Sequence, residues 1–264
     1  MTVRLVRVYR RSLGAHLRAV LEYQSDFWLL VTAGIVTQSL GFIFLSAVFA
    51  RVPTLNGWRF EETVLIYALA GLAQAAVPLV ADGAWLLGSL VHTGELDYRV
   101  VRPYPPVLQV TSHQIGFSGA GDAIGAGVLL VWALSRVEVH WTPVKVLLGL
   151  LILLGAVVIR IAITVATNAI AFWIPSPNPM FASAVFQIGE LARYPLTIYG
   201  FGLRVVLTGL LPFAFTGFLP AAWLLDQGGA AWLGLATPVV AALCALAAYA
   251  VFQRGLRRYE SAGH

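Results

Sequence analysis

Long apolar blocks, separated by short polar stretches, run along most of this 264-residue chain. A helix needs about 20 predominantly apolar residues to cross the hydrocarbon core of a membrane. Blocks of that order lie at about 27–49, 63–80, 107–134, 144–173 and 232–252. The pattern therefore predicts five membrane-spanning helices and leaves residues 180–226 to be divided.

Residues 180–226 are apolar enough for one span or two, but Pro195, Pro212 and Pro220 interrupt them. The arginines decide between these alternatives. The N-terminal segment carries five and the C-terminal tail three, which places both ends in the cytoplasm because basic residues accumulate on that side. An even number of crossings follows, so we expect one further span at about 182–193, the fifth in chain order, which brings the total to six. Residues 197–226 then form a broken helix pair, re-entrant or external, whose irregular backbone must be shielded from lipid.

The first residues, 3–24, predict an amphipathic helix. Arg4, Arg7, Arg11 and Arg18 fall on one stripe, and the opposite side is apolar. Such a helix suits the cytoplasmic membrane interface, the alternative being a solvated helix before the first span. On this topology ten of the 17 basic residues are cytoplasmic, six are external, and Arg160 lies within a span. The predicted fold class is an all-α integral membrane protein of one domain, residues 1–264, with six transmembrane helices.

Composition excludes a soluble domain. The chain is 59% hydrophobic and 11% charged, whereas about a quarter of the residues of soluble domains are charged. Most of the basic residues behind the net charge of +5 lie at the chain ends and in one loop. We therefore expect them to meet the headgroups of the lipid bilayer, and we expect no nucleic acid partner. Cys244 is the only cysteine, which excludes an intrachain disulfide and a cysteine-based metal site.

Nucleotide chemistry is limited by the lysine content. A phosphate-binding P-loop requires Gly-Lys-Ser or Gly-Lys-Thr, but Lys145 is the only lysine and follows Pro143-Val144. The chain therefore carries no ordinary ATP site, and we expect neither a catalytic residue nor a cofactor in it. If ATP drives its activity, a separate subunit binds the nucleotide with its magnesium.

Charged residues and a pattern of small residues fall inside the predicted spans. Arg160 is costly at membrane depth, about 2.5–3.5 kcal/mol on insertion scales. Asp122 is its most natural partner by position and Glu190 the second candidate; a packing role and a place in a substrate pathway both remain open. Small residues four apart, Gly121 with Gly125 and Ala123 with Gly127, predict close helix packing in lipid.

Residues 83–106 are too polar to cross and are expected to form a cytoplasmic loop. Within it, Gly94-Glu95-Leu96-Asp97-Tyr98-Arg99-Val100-Val101-Arg102-Pro103 resembles the G-x-L-D-x-x-L-x-R-P segment of ABC-2 type exporter permeases, in particular the viologen-exporter-like subgroup. Arg193-Tyr194-Pro195, Leu211-Pro212-Phe213 and Leu219-Pro220-Ala221 are similar to the proline-punctuated region before the last span of that subgroup.

The resemblance implies an ATP-driven exporter in the bacterial cytoplasmic (inner) membrane. Two permeases, identical chains or paralogues, would sit on two ATP-binding cassette ATPase subunits and move an unidentified, lipophilic or drug-like substrate by alternating access. The loop between the second and third spans would couple to the ATPase through Gly94, Glu95, Leu96, Asp97, Arg99, Arg102 and Pro103.

It also implies a substrate cavity between the two permeases, lined from the first, second and fifth spans, with Phe27, Trp28 and Gln38 as candidates. A secondary transporter driven by an ion gradient is the alternative function.

Overall fold

The computed structural model describes residues 24–174, 176–229 and 231–260. The predicted interfacial helix over residues 3–24 lies outside this part, apart from Gln24. The regular secondary structure of the described residues is helical. The helices are α1 Gln24–Phe49, α2 Phe60–Ala81, α3 Leu87–His92, α4 Asp97–Val100, α5 Pro106–Thr111, α6 Ser118–Leu134, α7 Pro143–Asn168, α8 Met180–Glu190, α9 Phe201–Val205, α10 Phe218–Leu224 and α11 Thr237–Arg258.

Four helical stretches of the described residues are long and apolar enough to cross a membrane: Ser25–Phe49, Phe60–His92, Pro143–Phe172 and Ala231–Arg258. Three of them contain a predicted span, and Pro143–Phe172 differs by one residue at each end from the prediction of 144–173. The fold is therefore that of an all-helical membrane protein.

The predicted third span at 107–134 is broken in the structure. α5 ends at Thr111, and α6 begins at Ser118 and has 17 residues. Between them the backbone NH of Gly116 donates to the carbonyl of Pro78 at 2.8 Å. At Gly119 a Cβ would lie 2.5 Å from the carbonyl oxygen of Ala75. The glycines thus lay this stretch directly on α2, and the backbone contact replaces a continuous helix.

The predicted fifth span at 182–193 is short. α8 contributes 11 residues and the 3-10 turn Leu191–Arg193 contributes three, together about 22 Å of helix. Beyond it, residues 197–226 divide into α9, the π-helical turn Val206–Leu210, the 3-10 turn Phe213–Thr216 and α10. None of these pieces approaches the length of a span.

The segments that connect the longer helices, some of which contain short helices themselves, lie at two opposite ends of the molecule. End I contains residues 50–59, 135–142, 197–200 and 226–229, joined by the Lys145–Asp226 ion pair at 2.8 Å and by a hydrogen bond from Gln227 to the Gly57 carbonyl. End II contains residues 82–117, 169–179 and 259–260, where the Phe172 ring contacts the Phe252 and Tyr259 rings.

Glycines bring α1 and α6 together. A Cβ at Gly121 would lie 2.0 Å from the Val31 carbonyl oxygen, and one at Gly125 would meet the Gln38 side chain at 2.8 Å. The predicted close packing is therefore confirmed for this pair. Gly127 has no heavy atom within 4 Å of its Cβ position, so the same prediction is wrong there. It faces away from the other described helices.

Candidate functional site

The segment 94–106, which we term the coupling segment, is built as a compact turn at end II. Gly94 adopts φ +72°, the left-handed conformation that commonly ends a helix, directly after α3. Leu96 is fully buried, and its backbone NH donates to the Leu90 carbonyl at 3.1 Å. The Gln109 amide then donates to the carbonyls of Arg99 and Tyr104. The segment is therefore tied to the helices on both sides.

Asp97 and Arg99, two of its four charged residues, turn towards the body of the protein. Burial, the hydrogen bond to the Asp97 carboxylate and the charge of that group raise the pKa of Tyr259 to about 12, so this phenol is protonated at physiological pH. An Arg99 Nη lies 3.1 Å from His113 Nδ1, which accepts because a guanidinium has only donors. Burial and the charge of Arg102 lower the pKa of Arg99.

The outward surface of the segment, which we term the knob, is mixed in character. Tyr98 is 72% exposed and Val101 82% exposed, and Glu95, Val100, Arg102 and Pro103 are exposed as well. The resemblance singled out Glu95 and Arg102 as contacts to the ATPase but did not include Tyr98 and Val101, the two large side chains exposed beside them. A large apolar side chain that faces away from the chain's own core is the signal that would have found them.

A second cluster of polar residues, the polar chain, lies at mid-length of the long helices. Glu190 contacts two arginines: Oε2 is 2.7 Å from Arg193 Nε, and Oε1 is 3.4 Å from Arg160 Nη2. Arg193 Nη1 lies 3.5 Å from Gln38 Oε1, and Gln38 Nε2 donates to Asp122 Oδ1 at 3.0 Å. Two carboxylates and two guanidiniums give the chain a net charge of zero. Its members lie on four elements: Gln38 on α1, Asp122 on α6, Arg160 on α7, and Glu190 and Arg193 on α8 and the turn that follows it.

The partner of Arg160 is Glu190, the second candidate from the sequence. Asp122, the first candidate, bonds Gln38 and reaches the arginines only through that amide. Helix packing determines this pairing, because α8 lies against α7 and brings Glu190 and the Gly189 carbonyl to the Arg160 guanidinium. Arg160 is 2% exposed and also lies over the Phe213 ring at 4.8 Å.

Arg193 is the member that sequence reasoning missed. It falls among the six basic residues assigned to the outside, but it is 7% exposed and lies over the Tyr67 ring at 5.1 Å. The 3-10 turn after α8 carries it back towards Gln38. The Glu190–Arg193 spacing of three residues on one helical face was the available signal.

The three candidate cavity residues have different surroundings. Trp28 is exposed, and Phe27 packs edge-on against Trp28 and Phe117 near end II. Gln38 is 1% exposed and serves as the bridge of the polar chain. Of these three residues, only Trp28 lies on the outer surface of α1.

Comparison with protein families identifies the class. The family model described as an ABC-2 family transporter protein matches residues 35–263, and the chain therefore belongs to this family. Its members are membrane components of transporters that work with an ATP-binding cassette ATPase. Comparisons with curated proteins and with solved structures found no match.

Proposed function

We propose that this chain is the permease subunit of an ATP-binding cassette exporter of the bacterial cytoplasmic membrane, powered by ATP and magnesium bound to a separate ATPase. The observation that carries the proposal is the coupling segment. It is anchored through Leu96 and Gln109, and it presents the exposed Tyr98 and Val101. A rigid base with an apolar tip suits transmission of force from a docked partner.

The proposed topology has six crossings with both termini in the cytoplasm. The path from α1 to α11 passes between end II and end I six times if α6 and α8 with its 3-10 turn count as crossings. End II holds the coupling segment and the basic tail with Arg254, Arg257 and Arg258, which supports a cytoplasmic position. End I is then external, and the short helices of 197–226 form an external or re-entrant layer.

Docking of the ATPase would act on the bundle through two ties. The Asp97–Tyr259 contact links the coupling segment to the end of α11, and the Arg99–His113 contact links it to the break before α6. Movement of the knob would therefore reach both helices directly. Among the charges predicted to contact the ATPase, we assign direct contacts to Glu95 and Arg102, and a positioning role to Asp97 and Arg99.

The substrate path is proposed at an interface with a second permease, identical or paralogous. α1 lies at the edge of the bundle and exposes Thr37 and Ser39 beside apolar residues, and small hydroxyl residues are enriched where membrane helices meet. Glu190, with a side chain 31% exposed, would bring the polar chain to that interface. An unidentified lipophilic or drug-like substrate, as in the viologen-exporter-like subgroup, would cross there by alternating access.

A secondary transporter is the second candidate, because the polar chain contains four ionisable groups, one more than the sequence indicated. In such a carrier Asp122 and Glu190 would exchange protons during transport, and no ATPase would be required. Response to a proton gradient without ATP distinguishes this function from the proposed one.

The docking proposal can be tested by cross-linking from single cysteines. In a Cys244→Ser background, Tyr98→Cys and Val101→Cys are labelled with a photoreactive maleimide in native membranes. Val131→Cys is the matched control because Val131 is equally exposed but lies on the apolar surface of α6. We expect an adduct from positions 98 and 101 that mass spectrometry identifies as an ATP-binding cassette subunit. Absence of that adduct, or an equal yield from position 131, would contradict the proposal.

A further inference from the structure

An apolar cavity of about 190 Å³ lies between α6, α7 and α10 next to end I. The coupling segment lies at the opposite end of the molecule, and no residue of the polar chain lines the cavity, although its inner end at Ala156 is one helical turn from Arg160. Its wall is mostly apolar and includes six leucines from α2, α6, α7 and α10, together with Gly149, Ile152, Ala156 and Pro220. The lining residues that carry polar side-chain atoms are Lys145, Thr216, Trp141 and Trp223. Such a lining offers a water cluster few hydrogen-bond partners, and favours a hydrocarbon.

The cavity opens sideways, towards the surface that faces lipid. Val146 and Leu150 line it and are themselves exposed on α7, whereas Ile152 and Ala156 at its inner part are buried. From Val146 to Ala156 the helix rises about 15 Å. That is about half of a hydrocarbon core of roughly 30 Å. The cavity is therefore as deep as one leaflet.

Its mouth carries a positive and a negative group side by side. Lys145 Nζ lies 2.8 Å from Asp226 Oδ2 and 5.8 Å from the centre of the Trp223 ring. The ammonium has three donors, and the Asp226 side chain is 70% exposed. Trp141 lines the same rim and is exposed. Tryptophan at this position is typical of the boundary between hydrocarbon and headgroups.

We propose that this cavity binds one acyl chain of a phospholipid with an amine headgroup, from the leaflet at end I. The chain fills the apolar slot, the phosphate oxygens accept hydrogen bonds from Lys145, and the headgroup ammonium pairs with Asp226. The paired charges at the mouth complement a zwitterionic headgroup, because each protein charge meets its opposite. A purely anionic headgroup would face Asp226 without compensation.

The test uses a glycine that lines the slot. At Gly149 the nearest atom to an added Cβ is Trp223 Cζ3 at 3.9 Å, so Gly149→Leu places its side chain in the cavity without displacing backbone. Gly127→Leu is the control, because Gly127 also has open space but does not line the cavity. The chain, with any co-purifying subunits, is extracted in mild detergent, and its retained phosphatidylethanolamine is counted by native mass spectrometry.

We expect one retained phosphatidylethanolamine in the wild-type chain and in Gly127→Leu, and at least a ten-fold lower occupancy in Gly149→Leu. Lys145→Gln should lower occupancy about five-fold. Equal occupancy in Gly149→Leu and wild type overturns the proposal. So does a wild-type chain that retains no phospholipid, or one that retains only a phosphate-free lipophilic amine, which would be the ligand of a transport site.

A second measurement does not depend on the folding of Gly149→Leu. Retained phosphatidylethanolamine is exchanged for a chain-brominated analogue, which quenches the fluorescence of nearby tryptophan. The wild-type protein should show a quenched fraction that is lost in Trp141→Phe/Trp223→Phe, whereas Trp28→Phe, near end II, should retain it. Equal quenching in both variants would place the retained lipid elsewhere and overturn the proposal.

Discussion

Replacement of Glu190 by glutamine should be the most damaging single change of a charge in the polar chain. The carboxylate is the only one in direct contact with Arg160 and Arg193 among the described residues. Its loss leaves two buried guanidiniums without a contacting anion. Breaking a buried ion pair costs about 3–5 kcal/mol. Because the Glu190 side chain is about one third exposed, we take the lower limit of about 3 kcal/mol.

The compensating change is Arg160→Met, which removes one of the two buried positive charges that Glu190 contacts. Replacing both members of a buried pair by neutral groups is often close to neutral. The double variant should therefore recover about 2 kcal/mol relative to the sum of the single variants, within the range measured for contacting residues. The assay is reversible unfolding in mixed detergent micelles, analysed as a double-mutant cycle. Additive effects, or Glu190→Gln within about 0.5 kcal/mol of wild type, would refute the ion-pair reasoning.

Three further predictions follow. Gly121→Ala should destabilise the chain by about 1–3 kcal/mol, because its Cβ meets the Val31 carbonyl. Gly127→Ala should change the free energy of unfolding by less than about 0.5 kcal/mol. The same unfolding assay compares the two variants. Tyr259→Phe should raise tryptic cleavage after Arg99 about five-fold by loosening Asp97, an increase that Tyr249→Phe should not reproduce. Single cysteines at 56, 140 and 228 should label from outside the cell and those at 95 and 260 only from inside; external labelling at 260 would reverse the topology.

The long helices could be predicted from sequence because apolar length alone determines them. α1 and α2 contain their predicted spans, and α7 and α11 match theirs once the adjoining 3-10 turns are included, to within one residue at the end of Pro143–Phe172. The same criterion failed at 107–134, where Ser112, His113 and Gln114 interrupt the apolar block and the backbone leaves the helix to contact α2. These polar residues were a signal for the break, but the contact between backbone groups leaves no trace in the sequence except for the glycines that permit it.

The polar chain could be predicted only in part for a similar reason. Arg160, Asp122 and Glu190 were identified by their depth, which is a property of each residue alone. Their pairing depends on which helix faces which, and Gln38 lies 155 residues from Arg193. In the coupling segment, Gly94 and the prolines are sequence signals of a rigid turn. The inward direction of Asp97 was not predictable, because Tyr259 reaches it from the far end of the chain.

ATP turnover by the purified chain, alone and together with its ATP-binding subunit, tests the central claim most directly. Both preparations are reconstituted in lipid nanodiscs and assayed with magnesium and ATP. We predict no hydrolysis above background for the chain alone, stable association with an ATP-binding cassette subunit, and hydrolysis by the complex. Turnover by the isolated chain, free of contaminating ATPase, would contradict the account. So would a chain that binds no such subunit and moves solutes in response to a proton gradient.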